Sequence, residues 1–534
     1  MFWKKVFKMN FFKKIAIKNK IKKKFSEIFK YGKKNKKKNN IVLLEFGNSA
    51  FNHIASAYLC DMISKKFRSK IVAYPGYQLL TTELSLGFFK SFKWIVGNLL
   101  SLGTFGLHHS FGVQKIIWPK INSITEIKAS KKFSSYSKDI RSKEDLENYT
   151  IDNILIGDLI YDSYLKKYLV ETVNINSHEF KSFFLNSLRL FYFWQKYFYN
   201  NRIKALVVYH SVYVSALALR VALKKKIPAY VFNNEKLYQL SENRKFYGLE
   251  YLDYKKIFQS LKEKKKIISL SKKKLIEKFN GKLSSDLVYI SKSAYGKSKK
   301  LSVLKKSKKL KVLIAPHSVS DSPHHNGNNF FTDQYEWLEF LGKISNETNY
   351  DWYIKCHPDF ATYFDNTVDL VKKFSKRYPK INYLKGTTSH NQLIKEGINF
   401  VLTTFGTIAG EYPYFNISAI NASKNNPFCK YDFAITPKNK NEYIKVIKNL
   451  EAQQSKIKKK EVLEHYYMRN EYFNNRWFFN DLNKVKHEIK NYKNFTRYPM
   501  YQYWLKHFNH QEHSVKYEKI NRFINSKDYI FINQ

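Results

Sequence analysis

YIKCHPDF, residues 353–360, runs a short apolar strand straight into Cys-His-Pro-Asp. Working outward from it, the same pattern repeats on both sides. KVLIAPH (311–317) reads as a strand, FFTDQYEWLEFLGKISNET (330–348) as a helix and DWYIKCHP (351–358) as the next strand. TVDLVKKFSKRY, INYLKG (381–386), SHNQLIKEG, NFVLTTFGT (399–407) and ISAINAS (417–423) continue the alternation of helix and strand. Apolar runs of four to six residues between helical segments predict parallel strands with crossover helices, hence an α/β fold.

A looser version of the repeat precedes it. IVLLEF (41–46), KIVAY (70–74), KALVVYH (204–210) and IPAYVF (227–232) read as strands, and SVYVSALALRVALKKK has helical spacing. NILIGDLIYDSYLKKY (153–168) reads as a strand followed by an acidic turn. Between the two regions, residues 255–310 are rich in Lys and Ser. The first part predicts a helix and the second, SKSAYGKSKKLSVLKKSKKL (291–310), an interdomain linker. The expected organisation is a basic amphipathic segment over 1–40, one α/β domain over 41–300, a second over 301–450 and a helical extension over 451–534.

Charge is the strongest compositional signal. Ninety-five Lys and Arg oppose 43 Asp and Glu, a net +52. Lys, Asn, Ile, Phe and Tyr share A/T-rich codons, so genome bias accounts for much of this, but the excess still favours anionic partners. No helix-turn-helix, RNA-binding sheet signature or zinc finger accompanies it, and the charge is spread over the whole chain, so nucleic acid is not the expected partner. Three cysteines without a CxxC pair exclude a disulfide scaffold and fit a reducing cytoplasm. The N-terminus shows no continuous apolar signal region. Its residues Phe2, Trp3, Val6, Met9, Phe11 and Phe12 can share one side of a helix studded with lysines, the pattern of a segment lying on an anionic membrane surface. WIVGNLLSLGTFGLHHSFGVQ (94–114) is uncharged and long enough to span a membrane. Its glycines, Asn98 and paired histidines make a buried or interfacial segment the better reading.

In open parallel sheets, ligands bind beyond the carboxyl ends of the strands. In the second region every polar cluster falls there: PHSVSDSPHHNG (316–327), KCHPD (355–359), GTTSHN (386–391) and TTFGTIAGE (403–411). The last supplies hydroxyls, glycines and backbone N–H groups at an expected helix N-terminus, suited to a phosphate or diphosphate. An ordinary turn with a threonine cap is the plainer alternative. Lys355 and His357 add positive charge and donors, and Pro358 restricts His357 to an extended conformation. His317, His324, His325, Cys356 and His357 lack the spacing of familiar zinc sites, and the chain has no Asp-x-Asp, so no metal is expected.

The order of PH, KCHPD and TTFGTIAGEYPYF resembles the C-terminal half of GT-B glycosyltransferases of bacterial surface polysaccharide synthesis. That group includes capsule-type, Kdo-transferring and polysialyltransferase-like enzymes and the CDP-glycerol glycerophosphotransferases. The resemblance spans roughly residues 311–425. It implies two Rossmann-like domains facing across a cleft, with His357 and Pro358 matching the His-Pro element and Thr403, Thr404, Thr407 and Glu411 the nucleotide-facing loop. His317 and Asp321 are expected at the donor as well. Metal-independent transfer from a nucleotide sugar to a glycan or lipid-linked acceptor is the expected reaction. It needs no cofactor beyond the co-substrate, but it does need a base for the acceptor hydroxyl and positive charge for the leaving phosphate. Asp158 and His53, on the polar loops of the first region, are the expected bases, with His357 at the phosphate. Glycerophosphate transfer on the same scaffold, a non-catalytic assembly role and nucleic-acid binding are the alternatives. The expected location is the cytoplasm, with the basic N-terminus on the inner face of the membrane.

Overall fold

The computed structural model describes residues 2–35, 38–76, 88–283, 292–296, 301–360, 366–453, 456–473, 477–479, 481–490 and 492–532. Its frame is two six-stranded sheets. The first holds β1 (Asn40–Phe46), β2 (Lys70–Pro75), β3 (Val113–Ile116), β4 (Arg202–Val208), β5 (Ala229–Phe232) and β6 (Leu237–Leu240), in the order β3-β2-β1-β4-β5-β6. Only β6 is antiparallel. The second sheet holds β7 (Lys311–Ile314), β8 (Asp351–Lys355), β9 (Ile381–Leu384), β10 (Phe400–Thr403), β11 (Ser418–Asn421) and β12 (Ala434–Ile435). Its order is β9-β8-β7-β10-β11-β12 and every pair is parallel. Each sheet thus has the doubly wound order, and the chain is two Rossmann-like domains.

Side chains alternate across each sheet, and both faces are covered. Val312 and Ile314 enter one core while Leu313 enters another, and Trp352 and Ile354 lie opposite Tyr353 in the same way. This two-sided burial is why these strands read as continuous apolar runs. One core passes from the first domain into the second, through Leu275 and Phe279 of the helix Lys264–Phe279 and Val462 and Leu463 of the helix Lys459–Tyr467.

The outer face of the first sheet is covered by both ends of the chain. Trp477, Phe478, Trp504 and Ile524 share a core with Ile21, Phe25 and Phe29. The last described residues also add to the sheet edge, where Gln239 N–H donates to the Tyr529 carbonyl at 2.9 Å and Phe531 N–H to that of Leu237 at 2.9 Å. The N-terminal helix Phe2–Ile28 is therefore anchored over its second half. The side chains of Phe2, Trp3, Val6, Met9, Phe11 and Phe12, read as its membrane face, lie outside the described residues. No helix among the described residues is long and apolar enough to cross a membrane.

Two expectations change. GDLIYD is not an acidic turn but opens the helix Gly157–Tyr168, preceded by a two-residue strand in a small hairpin. The lysine-rich stretch read as a linker is partly built into the second domain. Tyr295 is buried, and Glu396 accepts N–H bonds from Val303 at 2.9 Å and Leu304 at 2.7 Å.

The domains are joined by buried polar contacts. His324, on the loop after β7, donates through Nδ1 to Asp162 at 2.6 Å and through Nε2 to Glu147 at 3.0 Å. Tyr161 O–H donates to Asp333 at 2.5 Å, and Asp333 caps the helix Gln334–Glu347. Burial alone would lower the pKa of His324, but the two carboxylates override it and raise it well above the ordinary histidine value. Stability from this contact is then complete below about pH 6.5, the unfolded value, and is lost as pH rises through the raised folded value. His324→Gln should cost about 3 kcal/mol near neutral pH and less in alkali. Urea unfolding across that range checks it: wild-type stability falls with rising pH and the variant lacks that fall.

Candidate functional site

At the carboxyl edge of the second sheet, β7 and β10 are neighbours whose crossovers leave in opposite directions, and a crevice opens between them. There lies a cavity of about 230 Å³. β7 contributes Pro316 and His317, β8 contributes Lys355, Cys356 and His357, and β10 contributes Thr403 with Gly406 and Thr407 just beyond. Its outer wall is the C-terminal end of the helix Lys264–Phe279 with the segment after it, through Lys278, Lys282, Lys292 and Tyr295. That helix forms because Ser271, Leu275 and Phe279, spaced by four, bury one face and leave Lys278 at its rim.

Among the described residues, four lysines line this space against one carboxylate, Glu411. Glu411 is held at 2.8 Å by Lys278 and receives the Tyr295 hydroxyl at 2.6 Å. Burial would raise its pKa, yet Lys278, Tyr295 and Thr407 together hold it below the usual carboxylate range. Lys355 is buried at the strand end, and its ammonium donates to Nε2 of His390 at 3.3 Å. His390 Nδ1–H then donates to the Tyr412 hydroxyl at 2.7 Å. Burial pushes the Lys355 pKa down to about 8, slightly opposed by Cys356.

His357 is half-buried. Its Nδ1 accepts the Asp359 N–H at 3.2 Å, so the neutral ring carries its proton on Nε2. The turn through Pro358 is closed by Phe360 N–H donating to the His357 carbonyl at 3.0 Å. His317 packs on Phe405 with ring centroids 4.2 Å apart, and its Nε2 is buried without a hydrogen-bond partner. Burial lowers its pKa to about 3, so it is neutral. Gly406 is a close-approach glycine: a Cβ there would sit 2.7 Å from Thr403 Oγ and 3.4 Å from His317 Nε2.

Of the residues singled out in the sequence, His317, Lys355, His357, Thr403, Thr407 and Glu411 line this one cavity. Thr404 does not; its hydroxyl pairs with the Gln334 amide at 3.0 Å on the far side of the strand. Pro358 shapes the turn without lining the space. Asp321 sits at the domain junction, accepting from Tyr213 O–H at 2.7 Å and Lys166 at 3.1 Å. The two expected bases lie elsewhere. Asp158 is buried against Arg220 at 2.6 Å. His53 is buried, donating from Nε2 to the Gly47 carbonyl at 2.7 Å while Nδ1 accepts from Tyr501. Burial brings its pKa down to about 4. The helix expected after Thr407 is instead two short 3₁₀ turns, Thr407–Gly410 and Tyr412–Phe415. Gly410 and Pro413 interrupt helical continuity, so the loop after Thr407 presents no α-helix N-terminus to the cavity.

Sequence reading missed Lys278, Lys282, Lys292 and Tyr295, and it flagged GTTSHN (386–391) without singling out His390. It counted YHS (209–211), after β4, among the polar loops that could supply the base but did not single out His210. His210 lies at the crevice of the first sheet, between β1 and β4, exposed and within electrostatic reach of Asp321 and Lys166 across the junction. Three residues on, Tyr213 holds φ 64° and ψ 172°, a region almost reserved for glycine and costing about 1–3 kcal/mol. Such strain persists where the surrounding structure enforces it, and here Asp321 of the other domain grips the same side chain.

No protein-family profile and no curated protein sequence matches the chain. Among solved structures it is similar to Thermosulfurimonas dismutans KpsC, a beta Kdo 2,4 transferase, at 11% identity over 50% of this chain and 80% of that one, with a TM-score of 0.31. It is also similar to Methanocaldococcus jannaschii UDP-GlcNAc 2-epimerase in complex with UDP-GlcNAc and UDP, at 9% identity over 80% and 98% of the two chains, with a TM-score of 0.23. Anabaena Alr3699/HepE in complex with UDP-glucose aligns at 11% identity over 81% and 95%, with a TM-score of 0.24. Likeness this weak says nothing of activity, and the site stands on its own residues.

A space lined by four lysines and one paired carboxylate favours an anion. Inorganic pyrophosphate should raise the thermal midpoint of the full chain. Because the protonated amine of Lys355 attracts the anion, affinity should fall as pH rises through and above about 8. Lys355→Met should weaken the effect at neutral pH and flatten its pH dependence. An unchanged response in that variant would remove Lys355 from the site.

Proposed function

We propose that the chain is a glycosyltransferase that binds a nucleotide sugar with its phosphates in the β7–β10 crevice and passes the sugar to a surface-glycan acceptor held by the first domain. The observation that carries this reading is the surplus of cations over one paired carboxylate at the switch point of a parallel sheet. In the reaction the acceptor oxygen bonds to the anomeric carbon, the bond from that carbon to the phosphate oxygen breaks, and the nucleotide leaves with the electron pair. Lys355, Lys278 and His357 stabilise that developing charge. Glu411, fixed by Lys278 and Tyr295, offers a carboxylate oxygen to ribose hydroxyls. Metal ions take no part in this scheme.

The acceptor hydroxyl must lose a proton. Asp158 and His53 are poorly placed for it, and His210 is the better candidate. Although the residue keeps solvent access, desolvation by the protein around it lowers its pKa, with Asp321 acting in the opposite sense and Lys166 reinforcing the fall. The ring is therefore neutral near pH 7 and able to accept a proton.

A thermal-shift screen of nucleoside mono- and diphosphates tests the donor site. One nucleotide should stabilise the wild type, by about 2.7 kcal/mol when present at a hundred times its dissociation constant, and His357→Ala should abolish most of this. Silence across the whole panel would sink the reading. With a competent donor and acceptor in hand, His210→Gln should lower kcat by about 10²–10⁴ and remove the acidic limb of the pH profile. The same variant should keep wild-type nucleotide stabilisation. A normal profile would return the search for the base to other residues.

A further inference from the structure

The helix Phe88–Leu99 carries apolar residues on its packed side and on its solvent side. Its inner side is fixed by Trp94, whose ring meets those of Phe46, Phe105 and Trp118 at 5.5, 5.0 and 4.9 Å. Gly97 lets it close down on Phe105, since a Cβ there would come within 2.7 Å of that ring. Its outer side and the turn after it present Phe89, Phe92, Ile95, Leu99, Leu100 and Leu102, each between 51% and 79% exposed. Single exposed apolar residues are ordinary, but six within fourteen positions form a contiguous patch of the kind that marks an interaction surface.

The neighbourhood says what covers it. The N-terminal helix lies alongside, with Lys22 Nζ donating to the Ser101 carbonyl at 3.2 Å and Ser26 Oγ to that of Ser110 at 3.2 Å. Residues 13–30 of this segment hold eight lysines and one glutamate. Lys13, Lys14, Lys20 and Lys23 are exposed on it, and Lys93 is exposed on the apolar helix itself. A second copy would bring another +52 chain, basic in the same place, against this surface. An anionic bilayer satisfies both halves at once, taking the apolar side chains into its interface and the lysines at its headgroups.

We propose that this face, Phe89 to Leu102 flanked by the lysines of the N-terminal helix, docks the protein on an anionic lipid surface. The sequence placed membrane contact on the first residues of the chain; the structure adds a second, apolar element well inside it. The face also adjoins the carboxyl edge of the first sheet. Phe46 ends β1 against Trp94, and Asn48, two residues on, accepts the Thr104 hydroxyl at 3.0 Å. Docking there turns the edge assigned to the acceptor toward the bilayer, so a lipid-carried acceptor would arrive along the surface. That last step rests on the glycosyltransferase reading, whereas docking itself does not.

Vesicle co-sedimentation of the full chain separates the two. Wild type should bind vesicles containing equal parts phosphatidylcholine and phosphatidylglycerol, and bind phosphatidylcholine alone far more weakly. The triple variant Phe92→Ser, Ile95→Ser, Leu99→Ser should lose about tenfold or more in affinity with an unchanged thermal midpoint. Leu99→Ser alone, with five of the six patch residues intact, should lose less and guards against a folding defect in the triple variant. Lys13→Glu, Lys20→Glu and Lys23→Glu together should also weaken binding and reduce its salt dependence. Wild type that ignores anionic vesicles, or a triple serine variant that binds as well as wild type, would overturn the proposal. So would a wild-type dimer that the serine variant dissolves, since a second copy would then be the occupant. None of these results depends on donor binding, which the nucleotide screen reports separately.

Discussion

In a parallel sheet every strand ends on the same edge, and a crossover helix must lie on one face or the other. When two neighbouring strands send their crossovers to opposite faces, no helix can fill the space beyond their carboxyl ends. Both sheets here meet that condition, at β1–β4 and at β7–β10. The crevices are thus consequences of strand order before any side chain is considered. What distinguishes them is chemistry. The second gathers lysines and histidines from three strand ends and from a helix far back in the chain, while the first presents His210 and the strained Tyr213.

Electrostatics then narrows what the second crevice can hold. A buried lysine normally has a carboxylate partner, because an unpaired ammonium is costly to desolvate. Lys278 has Glu411, but Lys355 contacts a histidine that is itself neutral, and burial depresses its pKa to about 8. Groups with perturbed pKa values in a cleft are candidates for a functional site. His317, with a buried and unpartnered Nε2, tells the same story from the opposite wall. Glu411 cannot neutralise the space, since Lys278 already engages it and Tyr295 fixes its orientation.

How much of this the sequence discloses depends on which forces are local. The strands of the second domain are legible because burial on both faces writes them as unbroken apolar runs, KVLI, DWYIK and FVLT. The polar loops after them are legible because a parallel fold fixes which end of each strand they occupy. Long-range pairing leaves no such trace. Asp158 looks like a free acid in an acidic turn, and only the fold brings Arg220 to it from 62 residues away. His53 sits in an inviting polar cluster, yet its partner is Tyr501, 448 residues along the chain. Lys278 and Lys282 disappear into a lysine-rich background, where nothing local separates a cavity wall from a solvated helix face. TTFGTIAGE misleads in another way. Its threonines and glycines announce a helix start, but Gly410 and Pro413 stop the helix from continuing.

The loop after β7 ties these parts together. Its first residues carry His317 into the cavity, its middle holds Asp321 under Tyr213, and its far end inserts His324 between Asp162 and Glu147. His357, by contrast, rides on β8 and has no contact of this kind with the first domain among its described bonds. The first domain therefore holds one wall of the cavity through this loop. Because the contacts at Asp162 are buried and charged, separating them is costly. The same loop thus joins the β7–β10 crevice to the first domain, and it also holds the strained Tyr213.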